Sequence, residues 1–203
     1  MMEVFVNGVK VELDTSGVQT VGEILGIISR DLDVKYRIVR AMVDGVDITG
    51  NADSHMQPKS GAQKIEVKTG LASELAKETL TSIQEFHESL DKELSRTADE
   101  FRMGSTEKSN ELFVRCLDGL QILIKMTVSV ANLLQVKSSE VNAGSDSMQQ
   151  IAEKLSNVFQ EMIEAQINRD GILLADLIEY ELNPLLEDWG TARESLMKIT
   201  VAA

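Results

Sequence analysis

The spacing of apolar residues changes once along the chain, near residue 70, and this change restricts the possible folds more than any other feature. Before it, short apolar runs such as 4–6 and 9–13 alternate with polar residues at a period of two, which predicts β-strands. After it, apolar residues recur at every third or fourth position, as they do along 80–101, which predicts amphipathic helices. We therefore expect an α+β chain with two domains, 1–70 and 71–203.

Two glycine-containing pairs are predicted to turn the chain in the first domain. Asn7-Gly8 and Asp44-Gly45 each lie between short apolar runs. Both residues of such a pair tolerate the positive φ that a two-residue hairpin turn requires. Each pair therefore predicts a β-hairpin.

One helix is expected between these two hairpins. Thr20 and Glu23 have the spacing of a capping box, in which a threonine side chain caps the helix and a glutamate three residues later caps the threonine amide. A final strand is predicted at 64–68, after a long polar loop at 49–63. The expected order is two strands, a helix, two strands and one last strand.

The turns and the helix start of the first domain lie within longer motifs that, with one more, carry a resemblance. The four motifs are Phe5-Val6-Asn7-Gly8, Val11-Glu12-Leu13, Thr20-Val21-Gly22-Glu23-Ile24-Leu25 and Val43-Asp44-Gly45. Together they resemble the small sulfur-carrier proteins of the ubiquitin-like, β-grasp class, and the resemblance implies a β-grasp fold. Sulfur carriers act through a C-terminal Gly-Gly, whereas here Gly70 is followed by Leu71 and more protein. The carrier chemistry therefore has no reactive group, and we expect the fold to serve another purpose.

Four helices are expected in the second domain. The first is a long helix at 71–103, and the second, ending near Val136, has a narrow polar stripe and is expected to be enclosed by its neighbours. Ser147 can cap the third helix. The fourth should break or kink near Pro184, because proline has no N–H to donate. Short connections between the helices favour an antiparallel four-helix bundle.

Charge and composition argue against several classes of partner. The 203 residues include 33 Asp and Glu against 20 Lys and Arg, a net charge of −13, of which residues 71–203 carry −11. Such a surface repels phosphate backbones, so no nucleic-acid partner is expected. The longest apolar-rich stretch, 112–136, is interrupted by charged residues, so no membrane contact is expected. With no signal-peptide pattern and one cysteine, the expected location is the cytoplasm.

No residue pattern indicates catalysis, a cofactor or a metal site. The chain has two histidines, and His87 is expected near the surface between two glutamates. Cys116 lies in an apolar helix, which predicts a buried structural thiol. Asp176, Glu179 and Glu187 could face a groove, but a solvated helix face is the expected role. We therefore do not expect an enzyme, and we predict no cofactor and no metal.

Two segments of the helical domain, Glu111–Leu120 and Ile163–Asp170, resemble the flagellin export chaperones. Those proteins are small acidic helical bundles that bind a helix of their partner in an apolar groove, and the resemblance implies this mode of binding. The match departs from that family in two ways: its intervening helix is not found between Val136 and Ser147, and the family has no β-grasp domain.

The leading functional hypothesis is a non-catalytic protein-interaction module of chaperone or adaptor type. The expected surface is on the long helix, where apolar residues spread over more than one stripe and glutamates frame them: Leu71, Leu75, Ile83 and Phe86 with Glu74, Glu78 and Glu85. It would bind a basic or amphipathic segment of a protein partner, or a second copy of the chain. If folding buries these positions, no surface remains there.

The alternative hypothesis is an enzyme or small-molecule binder. It would use a carboxylate-lined site in a cleft between the two domains, near the loop 49–63.

Overall fold

The computed structural model of this chain describes residues 2–49, 61–104 and 106–202. Within these residues the protein is α+β, with a mixed five-stranded sheet followed in sequence by helices. The chain divides into two compact units, Met1–Leu75 and Ala76–Ala203, which we call the sheet unit and the helical unit. Most of the predicted 49–63 loop falls outside the described residues.

Within its described residues, the sheet unit contains five strands and one helix: β1 (Glu3–Val6), β2 (Val9–Val11), α1 (Val21–Asp31), β3 (Tyr36–Val43), β4 (Val46–Asp47) and β5 (Lys64–Leu71). The strand order is β2-β1-β5-β3-β4. Strands β1 and β5 run parallel, and the other neighbouring strands are antiparallel. Strand β5 is therefore the central strand, although it comes last in sequence.

Both predicted turns and the predicted helix start are confirmed. Asn7 and Gly8 have φ angles of 51° and 81°, and the second pair, Asp44-Gly45, has 49° and 85°. The Thr20 hydroxyl accepts a hydrogen bond from the Glu23 amide at 3.3 Å, and α1 begins at the next residue. These features are local, because each depends on the residue types at two or three neighbouring positions.

The core of the sheet unit lies between α1 and one face of the sheet. Val21, Ile24 and Ile28 of α1 are buried, and so are Ile65 and Val67 of β5. Alternate residues of β5 point to opposite faces, so the polar residues between them lie on the other side of the sheet. One helical stripe and one sheet face therefore supply the apolar surface that this unit buries.

Helix α2 (Ala72–Arg102) begins four residues before the boundary of the helical unit and forms its first helix. The unit continues with α3 (Thr106–Leu133), α4 (Met148–Ile167), α5 (Gly171–Asp176) and α6 (Asn183–Ala202). A π-helical segment, Leu177–Leu182, joins α5 to α6 without a break. The predicted loop after α3 contains a small hairpin of β6 (Asn142–Ala143) and β7 (Asp146–Ser147). No helix in the described ranges has both the length and the apolar composition that a bilayer crossing requires.

Trp189 of α6 is the largest fully buried side chain of the helical core. Its indole Nε1 donates a hydrogen bond of 3.1 Å to the Thr127 hydroxyl of α3, which in turn donates to the Leu123 carbonyl at 2.8 Å. This chain of hydrogen bonds satisfies the only polar atom of the indole, so the large ring can be buried at little polar cost.

Helix α3 packs against the Leu90 side chain of α2 at Gly119. A Cβ atom at this position would lie 2.9 Å from Leu90 Cδ1, so a larger residue would require that side chain to shift. A glycine in mid-helix costs about 1 kcal/mol relative to alanine. The packing of Leu90 against Gly119 offsets part of that cost.

Of the break or kink predicted near Pro184, the break was wrong, because the helix continues through this position. The Asn183 amide bonds to the Ile178 carbonyl, five residues earlier, and the chain continues as α6 to Ala202. Proline cannot donate to the carbonyl four residues before it, and its ring crowds that carbonyl. A π-helical turn directly before the proline widens the helix and accommodates the ring.

The prediction that α3 is enclosed by its neighbours was also only partly right. Leu120 and Leu123 are fully buried, but Val114 and Ile122 are 57% and 49% exposed. Buried and exposed apolar residues thus lie on the same helix. The hydrophobicity of a residue does not by itself show which of them is buried.

His87 of α2 is buried, with 8% of its surface exposed, so its predicted surface position was wrong. Its ring lies against Gly190 of α6, where a Cβ atom would be 3.5 Å from the ring. The Asp91 carboxylate lies 3.5 Å from His87 Nε2 without forming a hydrogen bond. Burial lowers the pKa of His87, and Arg193 also lowers it, whereas Asp91 and Glu88 raise it. Burial dominates, so the ring is buried in its neutral form.

The first prediction concerns the core of α3. Leu123→Ala should lower the free energy of unfolding of the helical unit by about 2–5 kcal/mol, the usual cost of emptying a buried leucine site. The matched control Ile122→Ala, one residue earlier and half exposed, should cost less than about 1 kcal/mol. Urea melts followed by the fluorescence of Trp189, the one tryptophan of the chain, measure this unit. Equal losses in the two variants would contradict the packing described here.

The second prediction concerns pH. The folded-state pKa of His87 lies below its ordinary value of 6.5, so the unfolded state binds more protons as the pH falls. The contribution of His87 to the free energy of unfolding is therefore fully present above the ordinary pKa of 6.5, and it is lost as the pH falls through the lower folded-state pKa.

The His55→Gln substitution leaves His87 as the one imidazole of the chain. In urea melts of this variant, the contribution of His87 to the free energy of unfolding should decline between about pH 8 and pH 5. Adding His87→Gln should remove this part of the decline. The raised pKa of Asp91 acts at lower pH and with the opposite sign, and it is present in both proteins. A pH dependence that is the same with and without His87 would refute the assignment.

Candidate partner-binding groove

The structure does not place the predicted α2 residues on one exposed apolar surface. Ile83 is fully buried in the helical core, and Phe86 is partly buried against it, so neither is available in the way we expected. Leu71 and Leu75 are also partly buried. The three glutamates of the prediction, Glu74, Glu78 and Glu85, are exposed. The apolar stripe of α2 is therefore largely used for folding, while its acidic face remains in solvent.

Two adjoining clefts at one end of the helical unit instead expose apolar side chains. The first, of about 620 Å³, has Phe101, Ser109 and Leu174 as its buried floor and Ile172 at its rim. The second lies beside α3 and includes the exposed Val114. Asn110 lines both clefts, so we treat them as one surface and call it the end groove.

The first cleft lies where two helix–helix turns come together. A Cβ atom at Gly171, the first residue of α5, would lie 3.3 Å from the Phe101 carbonyl near the end of α2. Across the cleft, the Gln166 side chain of α4 donates a hydrogen bond of 3.0 Å to Asn110 Oδ1 of α3. Four helices thus contribute to a single surface. Its first and last residues in sequence, Arg96 and Leu174, are 78 positions apart.

The turn after α4 is formed by an arginine in a conformation that favours glycine. Arg169 has φ +57°. Its amide bonds to the Gln166 carbonyl at 3.1 Å, and the Asp170 amide bonds to the Ala165 carbonyl at 2.9 Å. This is the Schellman pattern of a helix end, in which glycine is the usual residue at the left-handed position. An arginine there costs about 1–2 kcal/mol of backbone energy.

Arg102 at the rim of the groove forms the densest group of ion pairs in the helical unit. Its guanidinium donates to both carboxylate oxygens of Glu179, at 2.6 and 2.7 Å, and to Asp176 at 3.1 Å. The hydrogen bonds from Arg102 lower the pKa of the Glu179 carboxyl. Two of the three carboxylates that were predicted to form a solvated face therefore join the end of α2 to the α5–π segment.

Two other basic residues of the groove are also paired with carboxylates of α2. Lys108 bonds to Glu100, and Arg115 lies 2.8 Å from Glu93. Arg96 and Arg169 differ from them, because neither forms an ion pair with any residue that the structure describes. These two arginines, one in each cleft, are the basic groups that could bind a partner without breaking an internal pair.

No group of three or more His, Cys, Asp or Glu in the described ranges is placed to hold a metal ion. Cys116 is buried beside the Thr97 hydroxyl, 3.4 Å away, and burial raises the pKa of its thiol. Its predicted buried position is confirmed.

Comparison with known proteins places the helical unit in a family. Residues 78–192, more than half of the chain, match the family described as "Domain of unknown function (DUF8042)". The chain belongs to this family. No curated protein and no solved structure matches the chain. The matched segment of this DUF8042 protein contains all residues of the end groove, while the strands of the sheet unit lie before it.

Sequence reasoning missed the groove, although one signal was present. The segments Glu111–Leu120 and Ile163–Asp170 were both noted for their resemblance to one family of chaperones. Each contributes residues to the end groove, Val114 from the first and Arg169 from the second. Both segments thus contribute to the groove, but the sequence could not show that they meet.

The third prediction tests the strain at Arg169. Arg169→Gly should raise the free energy of unfolding by about 0.5–1 kcal/mol, because relief of the left-handed strain exceeds the entropy that glycine adds to the unfolded chain. Gln135→Gly is the matched control, since Gln135 ends α3 with φ +59° and should respond in the same way. Arg169→Ala keeps the strain and should give no gain. Destabilisation by Arg169→Gly in urea melts would show that the conformation is not strained.

Proposed function

We propose that this DUF8042 protein is a non-catalytic protein-interaction module of adaptor or chaperone type, and that the end groove is its binding surface. One observation carries the proposal. Val114 and Ile172 are each 57% exposed, and they line adjoining clefts whose buried floor is apolar apart from Ser109. Single exposed apolar residues are common on proteins, but large apolar side chains beside a preformed concave surface usually mark a binding site.

The floor of the groove suits a partner side chain. Leu112, Phe101 and Leu174 are buried beneath the two clefts, so an inserted apolar group would contact carbon atoms rather than water. The burial of such a group is favourable by about 25 cal/mol for each Å² removed from water. The exposed residues at the rim would then close over it.

The architecture supports the same proposal. We propose that the long helices α2, α3, α4 and α6 form an antiparallel four-helix bundle and that the sheet unit is a ubiquitin-like β-grasp domain. The sheet order, with the last strand parallel to the first in its centre, supports the second assignment. Both fold types commonly serve in protein recognition, although fold alone does not decide function.

A matched pair of variants tests the proposed function. Val114→Asp combined with Ile172→Asp places two charges in the groove and should abolish partner binding, while Ile122→Asp, on the outer face of α3, should not. Tagged forms of the three proteins are isolated from cells of the source organism, and native mass spectrometry measures their complexes. We expect one stoichiometric complex with the wild type and with Ile122→Asp, and none with the double variant. A complex that survives in the double variant would show that the groove is not the binding surface.

A further inference from the structure

We infer that the partner segment bound in the end groove is acidic, and that two of its carboxylates pair with Arg96 and Arg169. This inference rests on the proposed function and adds the chemistry of the partner. It differs from the expectation based on net charge, which favoured a basic segment.

The lining of the groove is basic in composition, whereas the rest of the unit is acidic, and three of its five cations are already paired with carboxylates just outside the lining. Residues 76–203 include 22 acidic and 12 basic side chains. The charged residues that line the two clefts are five basic ones and one acidic one: Arg96, Arg102, Lys108, Arg115, Arg169 and Glu111. Clefts concentrate the field of the charges along their walls, so the local sign matters more to a bound segment than the net charge.

Two of the five basic groups form no ion pair with the residues that the structure describes. Arg102, Lys108 and Arg115 already bind carboxylates of the same chain, whereas Arg96 and Arg169 form no ion pair within the described residues. One lines each cleft, and Asn110 lies in the wall that the clefts share. A segment that spans the groove can therefore place one carboxylate on each arginine, with its apolar residues between them.

Asn110 can bind the middle of such a segment. Its Oδ1 atom accepts the hydrogen bond from Gln166, which leaves the N–H groups of its amide to donate to a carbonyl or carboxylate. The groove thus offers hydrogen-bond donors at three places, Arg96, Asn110 and Arg169. An acidic peptide supplies acceptors, whereas the ammonium groups of a basic peptide supply donors alone.

The strained backbone at Arg169 agrees with a binding role. Glycine at this helix end would avoid the left-handed strain, so the arginine side chain is present at a cost to folding. Arginine binds carboxylates through two parallel N–H donors, a geometry that lysine does not offer.

The acidity of the whole chain does not prevent this binding. At physiological ionic strength the Debye length is about 8 Å, so carboxylates on distant helix faces are screened. A carboxylate in contact with Arg96 or Arg169 lies well within that distance. The net charge therefore slows the approach of an acidic segment more than it weakens the bound state.

Three short synthetic peptides test the inference. They share the same leucine and alanine positions and carry Glu, Gln or Lys at all others, and fluorescence anisotropy at about 0.15 M salt measures their binding to the full-length protein. We expect the Glu peptide to bind at least about tenfold more tightly than the Gln peptide, and the Lys peptide to bind most weakly. Arg96→Glu and Arg169→Glu should each weaken binding of the Glu peptide at least about tenfold.

Two controls make the result specific. Lys125→Glu, on α3 outside the groove lining, changes the net charge equally and should leave the affinity for the Glu peptide unchanged. Arg169→Gly removes the same guanidinium as Arg169→Glu while relieving the strain, so loss of binding in a more stable protein excludes misfolding as the cause.

Three results would overturn the inference: no binding of the Glu peptide, equal or tighter binding of the Lys peptide, or undiminished binding of the Glu peptide to Arg96→Glu and Arg169→Glu. The proposed function has a separate test. If Val114→Asp with Ile172→Asp abolishes the complex from source cells while the arginine variants retain it, the groove binds a partner that is not acidic. If that complex persists in all variants, both proposals fail.

Discussion

Burial of the apolar stripes of the long helices in one core is the constraint on which the helical unit depends. The chain has few aromatic residues, so aliphatic side chains fill most of this core, and Trp189 is its one very large member. The hydrogen bond from the indole to Thr127 makes that burial possible, and Gly119 of α3 leaves room for the Leu90 side chain of α2. The indole N–H of the core is thus hydrogen-bonded, and the apolar stripe of α2 is largely used in folding.

The position of the end groove follows from this packing of the helices. Because the sides of the helices pack on each other, a concave surface with apolar lining remains where the chain reverses direction at the ends of α2 and α4. The arginine that ends α4 and the close contact between Gly171 and Phe101 shape that surface. Arg102 holds the same end together through Glu179 and Asp176, so the site is built on paired and packed elements.

The charges of the unit separate into two surfaces of opposite character. Exposed glutamates such as Glu78 and Glu85 dominate the outer face of α2, whereas basic residues dominate the lining of the end groove. A net charge averages over both, and it therefore describes solubility and long-range repulsion better than it describes recognition. Recognition depends on the few groups within contact distance of the partner.

The sequence by itself determined the features that depend on neighbouring residues: the two hairpin turns with positive φ, the capping boxes at Thr20 and Ser147, and the start and end of α2. Periodicity also predicted the sheet-then-helix order. Only the tertiary structure decided that His87 is buried against Gly190, that Pro184 follows a π-helical turn, and which apolar residues of α3 remain exposed. The end groove belongs to this second group, because Arg96, Asn110 and Arg169 come together only when helices distant in sequence pack. Local patterns record the conformation of the backbone, whereas a site made by packing depends on contacts that no short segment contains.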